Sequence, residues 1–375
     1  MKKFANGIQF NNPLHEAIYR INVGQDITEE MAYNAFSYTL NIEDEINRGV
    51  CLGVLLNGIV SKRPQIHEIL GILKATLDYD GIDITNQKRL EMPNNARVIG
   101  YAGSGKKGIK TINVSSCAAI VAATAGTYVA KSCSGSTSSV SGSADFIEIL
   151  GANISQTNEE MIDIMKKTGL GFFKIEKMIP KFDKVYGGHF YAPNALSFGL
   201  AGILLPFRPD NLFYGLAHPN IHLLINVLKE LNYRYAFVAS TTDDGVHFLD
   251  EIGIFGMTSV IGIQEHKIGH TLTFSPAEDL KLQGYNRSSI EPGKTRLENV
   301  KMGVDVLRGK GQIAHEDLIC VNAGTLLCLD KKAKDLTEGY TISKETIKSG
   351  KAIEKLTEFI TATGGDLNTL NQFLD

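Results

Sequence analysis

Residues 103–116 read Gly-Ser-Gly-Lys-Lys-Gly-Ile-Lys-Thr-Ile-Asn-Val-Ser-Ser. They follow a short apolar run, "RVIGYAG", and lead into an alanine-rich helical pattern. A glycine loop after a strand lets backbone N–H groups approach an anion, and the next helix adds its own unpaired N–H groups and partial positive charge. Gly103, Gly105, Lys106, Lys107 and Thr111 are therefore candidate phosphate-binding residues. Asn113, Ser115 and Ser116 stand at the helix start, where such side chains either cap the helix or face a phosphate or its metal. The spacing is neither GxGxxG nor GxxxxGK[ST], so neither a dinucleotide fingerprint nor a Walker-type loop is present.

A second cradle follows. Lys131 closes the strand pattern "TYVAK", and the loop "SCSGSTSSVSGSAD" supplies Ser134, Ser139 and Ser143. Ligands of open α/β sheets bind beside the carboxyl ends of strands. Two cradles on consecutive strands suit a ligand with more than one phosphate. Asp250-Glu251 is a pair of hard oxygen ligands of the kind that holds Mg²⁺ shared with substrate phosphates, or else an ordinary solvated acidic pair. No histidine or cysteine pattern demands acid–base or nucleophilic catalysis. His189 lies near where an acceptor would enter. His266 and His270 are separated by a glycine-containing stretch that argues against a metal site. His315-Glu316-Asp317 reads as the solvated start of a helix, and Cys133 as a loop residue open to solvent.

Helices must carry the first part of the chain. Apolar positions recur at three and four through residues 12–80, and Asp26-Ile-Thr-Glu29 has the form of a capping box. From Arg97 the order becomes strand, loop, helix, strand, which is an α/β sheet. The helix 219–231 precedes the strand "YRYAFVAS" (233–240). "MTSVIGIQ" and "HTLTFSP" read as an antiparallel edge pair. The chain after Lys294 is mostly helix, broken at Ser349-Gly350.

Bulk properties narrow the function. The 375 residues carry a net charge of −3, without the basic excess of a nucleic-acid binder. Five scattered cysteines without a CxxC point to reduced thiols, and no run approaches a membrane span, so a cytoplasmic location is expected.

The chain resembles the anthranilate phosphoribosyltransferases and their relatives among the nucleoside phosphorylases. The loop 103–116 matches that family's GTGGDGxxTxNxST. Lys131 through the intact Ser141-Gly-Ser-Ala-Asp145 matches KHGNRxxSxxSGSAD, and Leu249-Asp250-Glu251 matches the end of GLDE. Asn322-Ala323 and "SGKAIEKL" (349–356) extend the match toward the end of the chain. The resemblance implies an α/β fold in two parts. A small all-helical N-terminal domain, 1–92, takes back a segment at about 172–196. A larger α/β domain, 93–375, has a central, mostly parallel sheet flanked by helices. It also implies a cleft between the parts, a homodimer through the helical part, and phosphoribosyl pyrophosphate as donor. Gly103, Thr111, Asn113, Ser115, Ser116, Lys131 and Ser143 would hold the donor, and Ser115 with Asp250 and Glu251 would hold Mg²⁺.

Departures accompany the match. Lys106-Lys107 stands where the family has Gly-Asp. Ser132, Cys133 and Ser134 replace its His-Gly-Asn, and Ala195 falls where its acceptor-binding arginine stands. An arginine fork is the usual partner of a carboxylate. The expectation is a Mg²⁺-dependent phosphoribosyltransferase acting on a small nitrogenous, aromatic acceptor other than anthranilate. The alternatives are the anthranilate enzyme with a divergent acceptor site, a nucleoside phosphorylase, and a non-catalytic binding protein on the same fold.

Overall fold

A computed structural model describes residues 12–135, 140–188, 190–282 and 284–374. Four helices open it: α1 Pro13–Asn22, α2 Glu29–Leu40, α3 Glu45–Ser61 and α4 Ile66–Asp80. Their apolar faces form one core with the segment 179–204 and with one face of the sheet, through residues such as Leu55, Ile72, Phe182 and Tyr214. The cap of α2 is Thr28, whose side chain accepts from the Met31 N–H, so the expected capping box at Asp26 does not form. Asp26 instead pairs with Lys62 at 2.8 Å.

The strands are β1 Val98–Gly103, β2 Tyr128–Cys133, β3 Leu170–Lys174, β4 Asn211–Gly215, β5 Tyr235–Thr242, β6 Met257–Gln264, β7 Lys267–Ile268 and β8 Leu272–Phe274. Their order is β3-β2-β1-β4-β5-β6-β7, with β8 also on β6. The first five run parallel, and β6 to β8 are antiparallel. Chain order reverses beside β1, which puts the switch point, where parallel sheets place ligands, at the carboxyl ends of β1, β2 and β4. α5 (Val114–Thr124) and α6 (Ser143–Ile149) follow β1 and β2, and the helices after Arg296 cover the same face. The break expected at Ser349-Gly350 is present, with Gly350 at φ 77°.

Two sequence expectations fail for identifiable reasons. β2 runs two residues beyond Lys131, so Cys133 is a buried strand residue and not a solvent-open loop thiol. His315 and Asp317 are buried, each 2% exposed. Asp317 accepts from Tyr285 at 2.7 Å, Tyr340 at 2.6 Å and Lys344 at 2.8 Å, so that helix start is a buried polar hub. Spacing alone does not reveal that two tyrosines and a lysine from distant segments converge on one carboxylate.

The helical part is locked by Glu68, which is fully buried. It accepts from the N–H groups of Ile27 at 2.8 Å and Gln65 at 2.9 Å, and from Lys62 at 2.8 Å. One carboxylate thus ties the start of α2, the end of α3 and the start of α4. Breaking a buried, fully bonded ion pair costs about 3–5 kcal/mol. Glu68→Ala is expected to lower the unfolding free energy by about that much in urea denaturation; a loss below about 1 kcal/mol would show that the strap is dispensable.

Candidate active site

Asp250 sits on the ends of the central strands because two glycines make room. A Cβ on Gly215 would lie 1.6 Å from the Asp250 carbonyl oxygen, and one on Gly103 2.8 Å from its Oδ2. The loop after β1 then closes over it. The Gly105 N–H donates to Asp250 Oδ2 at 3.0 Å, and Gly105 and Lys106 are both left-handed, with φ of 62° and 53°. For lysine that conformation carries a steric penalty of roughly 1–2 kcal/mol. Behind the pair, Asn322 exchanges hydrogen bonds with both the N–H and the carbonyl of Ile252, at 3.0 and 2.9 Å. Thr241 donates to the Glu251 carbonyl at 2.8 Å.

Lys107 crosses the loop to the acidic pair. Its Nζ lies 3.1 and 3.2 Å from the two oxygens of Glu251, 3.6 Å from Asp250 Oδ1 and 2.7 Å from Thr111 Oγ1. Burial pulls the pKa of Lys107 down, but the two carboxylates outweigh it and hold the ammonium protonated. Burial raises the pKa of Glu251, and the Lys107 ammonium opposes that shift. Asp250 and Glu251 are 7% and 4% exposed, so this is a buried charge cluster and not a solvated acidic pair.

The second loop is pinned to the first. Asn113 occupies the N-cap position of α5 but makes no capping bond. Its amide donates to the carbonyls of Ser141 and Gly142 at 3.2 and 3.1 Å, and its Oδ1 accepts from Ser141 Oγ at 2.5 Å. Asn299 donates to the same serine hydroxyl at 3.2 Å. Lys131 donates to the Ser132 carbonyl at 2.7 Å and lies over the Tyr101 ring, 5.2 Å from its centroid.

The two loops and the acidic pair line a cavity of about 220 Å³. Of the expected site residues, Gly103, Gly105, Lys106, Lys107, Thr111, Asn113, Ser115, Lys131, Ser134, Ser143, Asp250 and Glu251 line it. Ser116 does not: it is fully buried behind the helix start. Ser139 and His189 lie outside the described residues. The cavity also takes Tyr101, Lys110, Ser132 and Ser141, which were not among the expected ligand-binding residues. Its far wall comes from the segment 175–201, with Glu176, Ile179, Phe182, Asp183, Tyr186 and Leu200. Asp80, at the end of α4, positions that wall by accepting from the N–H groups of Lys181 and Phe182 at 2.8 and 2.9 Å. Phe182, Tyr186 and Phe190 stack successively at 5.2 Å, a four-residue spacing that was visible in the sequence.

Lys106 reaches this aromatic wall, with Nζ 5.5 Å from the centroid of the Tyr186 ring. Burial pushes the pKa of Lys106 down to about 8. Three buried oxygens of the cavity have no hydrogen-bond partner among the described residues, Tyr101 OH, Ser132 Oγ and Glu176 Oε2, while Asp250 Oδ1 has only its ion pair with Lys107 at 3.6 Å. Unpaired buried polar groups are rare in folded proteins, and their concentration here marks a site for a polar ligand.

A family model described as "Glycosyl transferase family, a/b domain" matches residues 95–353. The anthranilate phosphoribosyltransferase of Bacillus thuringiensis subsp. konkukian (strain 97-27) is 31% identical over 354 residues, covering 93% of this chain and 97% of the relative. The chain belongs to the anthranilate phosphoribosyltransferase family. It is accordingly an enzyme of the phosphoribosyl-transferring class. The fold agrees with solved members of the family. The Thermus thermophilus anthranilate phosphoribosyltransferase superposes with a TM-score of 0.72 at 21% identity, covering 93% of this chain and 99% of that one. The Saccharomyces cerevisiae enzyme, in complex with PRPP and Mg, gives 0.73 at 19% identity, covering 94% and 98%.

Magnesium is thus bound by a solved family member. Here the carboxylate pair that would hold it already surrounds an ammonium group, and a divalent ion at that point would have to displace Lys107. Among the described residues no group of three or more His, Cys, Asp or Glu is arranged to hold a metal ion. No described helix is long and apolar enough to cross a membrane.

Because the pKa of Lys106 is depressed, its charge is present below about pH 8 and lost above it. Affinity for inorganic pyrophosphate is expected to fall as pH rises through about 8, and Lys106→Arg to move that fall to higher pH. Calorimetric titrations across pH 7–9 check this at roughly the depth a charge-assisted contact provides, tenfold or more. An identical pH profile in both proteins would remove Lys106 from the anion site.

Proposed function

We propose that the cavity binds phosphoribosyl pyrophosphate and transfers its phosphoribosyl group to a small aromatic nitrogen nucleophile other than anthranilate, releasing pyrophosphate. The observation that carries this reading is the pair of loops pinned through Asn113 and Ser141 over unpaired oxygens and lysines. In the proposed reaction a nitrogen lone pair forms a bond to the anomeric carbon. The bond from that carbon to the pyrophosphate oxygen breaks, and the oxygen keeps the electron pair. Lys131, Lys106 and the α5 N-terminus stabilise the departing charge. Mg²⁺ chelated by the donor's own diphosphate, with Ser115 as a protein ligand, would add to that neutralisation.

The acceptor preference follows from the far wall. Its carboxylates are Glu176 and Asp183, and no arginine lines the described cavity. Ala195, where the family's acceptor arginine would fall, is fully buried. Glu176 Oε1 accepts from the Gly135 N–H at 2.8 Å, which leaves Oε2 to receive an N–H from the nucleophile. Burial raises the pKa of Glu176, which makes it a better proton acceptor when ionised. The stacked Phe182 and Tyr186 favour a planar ring.

Pyrophosphate release from phosphoribosyl pyrophosphate, followed with a panel of aromatic amines and heterocycles, tests the reading. Acceptors without a carboxylate are expected to outpace anthranilate. If anthranilate were the fastest, the specificity reading would fall, with Lys106 as the remaining cation for its carboxylate. If pyrophosphate appeared with no acceptor, the transfer reading would fall.

We also propose a symmetric dimer through α3. Ile46, Val50 and Val54 form a stripe that is 81%, 60% and 44% exposed, and the intervening Gly49 and Gly53 have nothing within 4 Å of a built Cβ. Such a stripe is the kind of apolar face that a second copy covers. Val50→Glu is expected to convert a dimer to a monomer in analytical ultracentrifugation, whereas an unchanged mass would place the interface elsewhere.

A further inference from the structure

The acidic pair at the floor of the cavity already has its cation. We propose that the Lys107 ammonium is a tethered replacement for a divalent metal ion at Asp250 and Glu251. Its Nζ faces four oxygens: both of Glu251 at 3.1 and 3.2 Å, Thr111 Oγ1 at 2.7 Å and Asp250 Oδ1 at 3.6 Å. The three N–H bonds of an ammonium suit that arrangement. The side chain is 13% exposed, and the partners on Asp250 and Glu251 are 8% and 5% exposed.

The surroundings fix both ends of the interaction. The Gly105 N–H holds Asp250 Oδ2, Thr241 holds the Glu251 carbonyl and Asn322 holds Ile252. Lys107 starts from a loop that the left-handed Gly105 and Lys106 turn back over the strand ends. The cation is intramolecular, so a metal from solution competes with a partner whose effective concentration is high. Two carboxylates alone are a thin ligand set for Mg²⁺, which usually draws its remaining oxygens from water and substrate phosphates.

This inference rests on the phosphoribosyl pyrophosphate reading only for its consequence, which is that metal needed by the reaction arrives bound to the donor. Titrating Mn²⁺ alone into the donor-free protein, with free Mn²⁺ read by electron paramagnetic resonance, tests the inference without reference to turnover. The wild type is expected to show no Mn²⁺ binding that Glu251→Gln removes. Lys107→Ala, and Lys107→Asp with the family's residue, are expected to bind Mn²⁺ at least about tenfold more tightly than the wild type, the factor one charge-assisted contact provides. Circular dichroism first establishes that the variants fold. Should they not fold, the wild type and Glu251→Gln still decide: Mn²⁺ binding by the wild type that Glu251→Gln abolishes would overturn the proposal. So would Lys107 variants that fold and bind Mn²⁺ no better than the wild type.

Discussion

The site depends on the seating of one buried carboxylate against the ends of the central strands. Asp250 occupies that place because Gly103 and Gly215 carry no side chain there. Desolvating a carboxylate this fully is costly unless hydrogen bonds and opposite charge compensate it. Compensation comes from the loop after β1, through the Gly105 N–H and the Lys107 ammonium. The same bonds that satisfy Asp250 thereby fold the glycine loop over the sheet and fix the mouth of the cavity. Electrostatics at the floor and geometry at the rim are one arrangement.

From this floor the cavity divides by chemistry. Toward β2 and α5 it offers lysines, hydroxyls and a helix N-terminus, which favour phosphate. Toward the helical part it offers stacked rings and carboxylates, the half proposed to take a planar nitrogen compound. Glu68 and Asp80 bear on the second half at a distance. Glu68 holds α2, α3 and α4 together, and Asp80 on α4 holds the helix that carries Phe182 and Tyr186.

Most of the side proposed to take phosphate was legible in the sequence because its determinants are local. A strand, a glycine loop and a helix start lie within about twenty residues of one another, and the second cradle repeats the order. The fold class followed from the change in periodicity near Arg97. What escaped was set by distant contacts. The burial of Asp317 depends on Tyr285, Tyr340 and Lys344, and the burial of Cys133 on β2 continuing beside β3. Ser116 and Ser115 are adjacent, yet helix geometry turns only Ser115 to the cavity. Lys107 was visible as a departure from the family pattern, but its partner was not, because 143 positions separate it from Asp250 in the chain. Glu176 gave no signal, since a lone glutamate in a helical pattern reads as solvated.

Calorimetric titration of phosphoribosyl pyrophosphate into the purified protein, in Mg²⁺-containing buffer and beside inorganic phosphate, tests the central claim most directly. The account predicts one donor site per chain, much weaker binding of phosphate, and a loss of donor affinity of about tenfold or more in Lys131→Ala. Binding of phosphate in preference to the donor, or no binding of either, would contradict it.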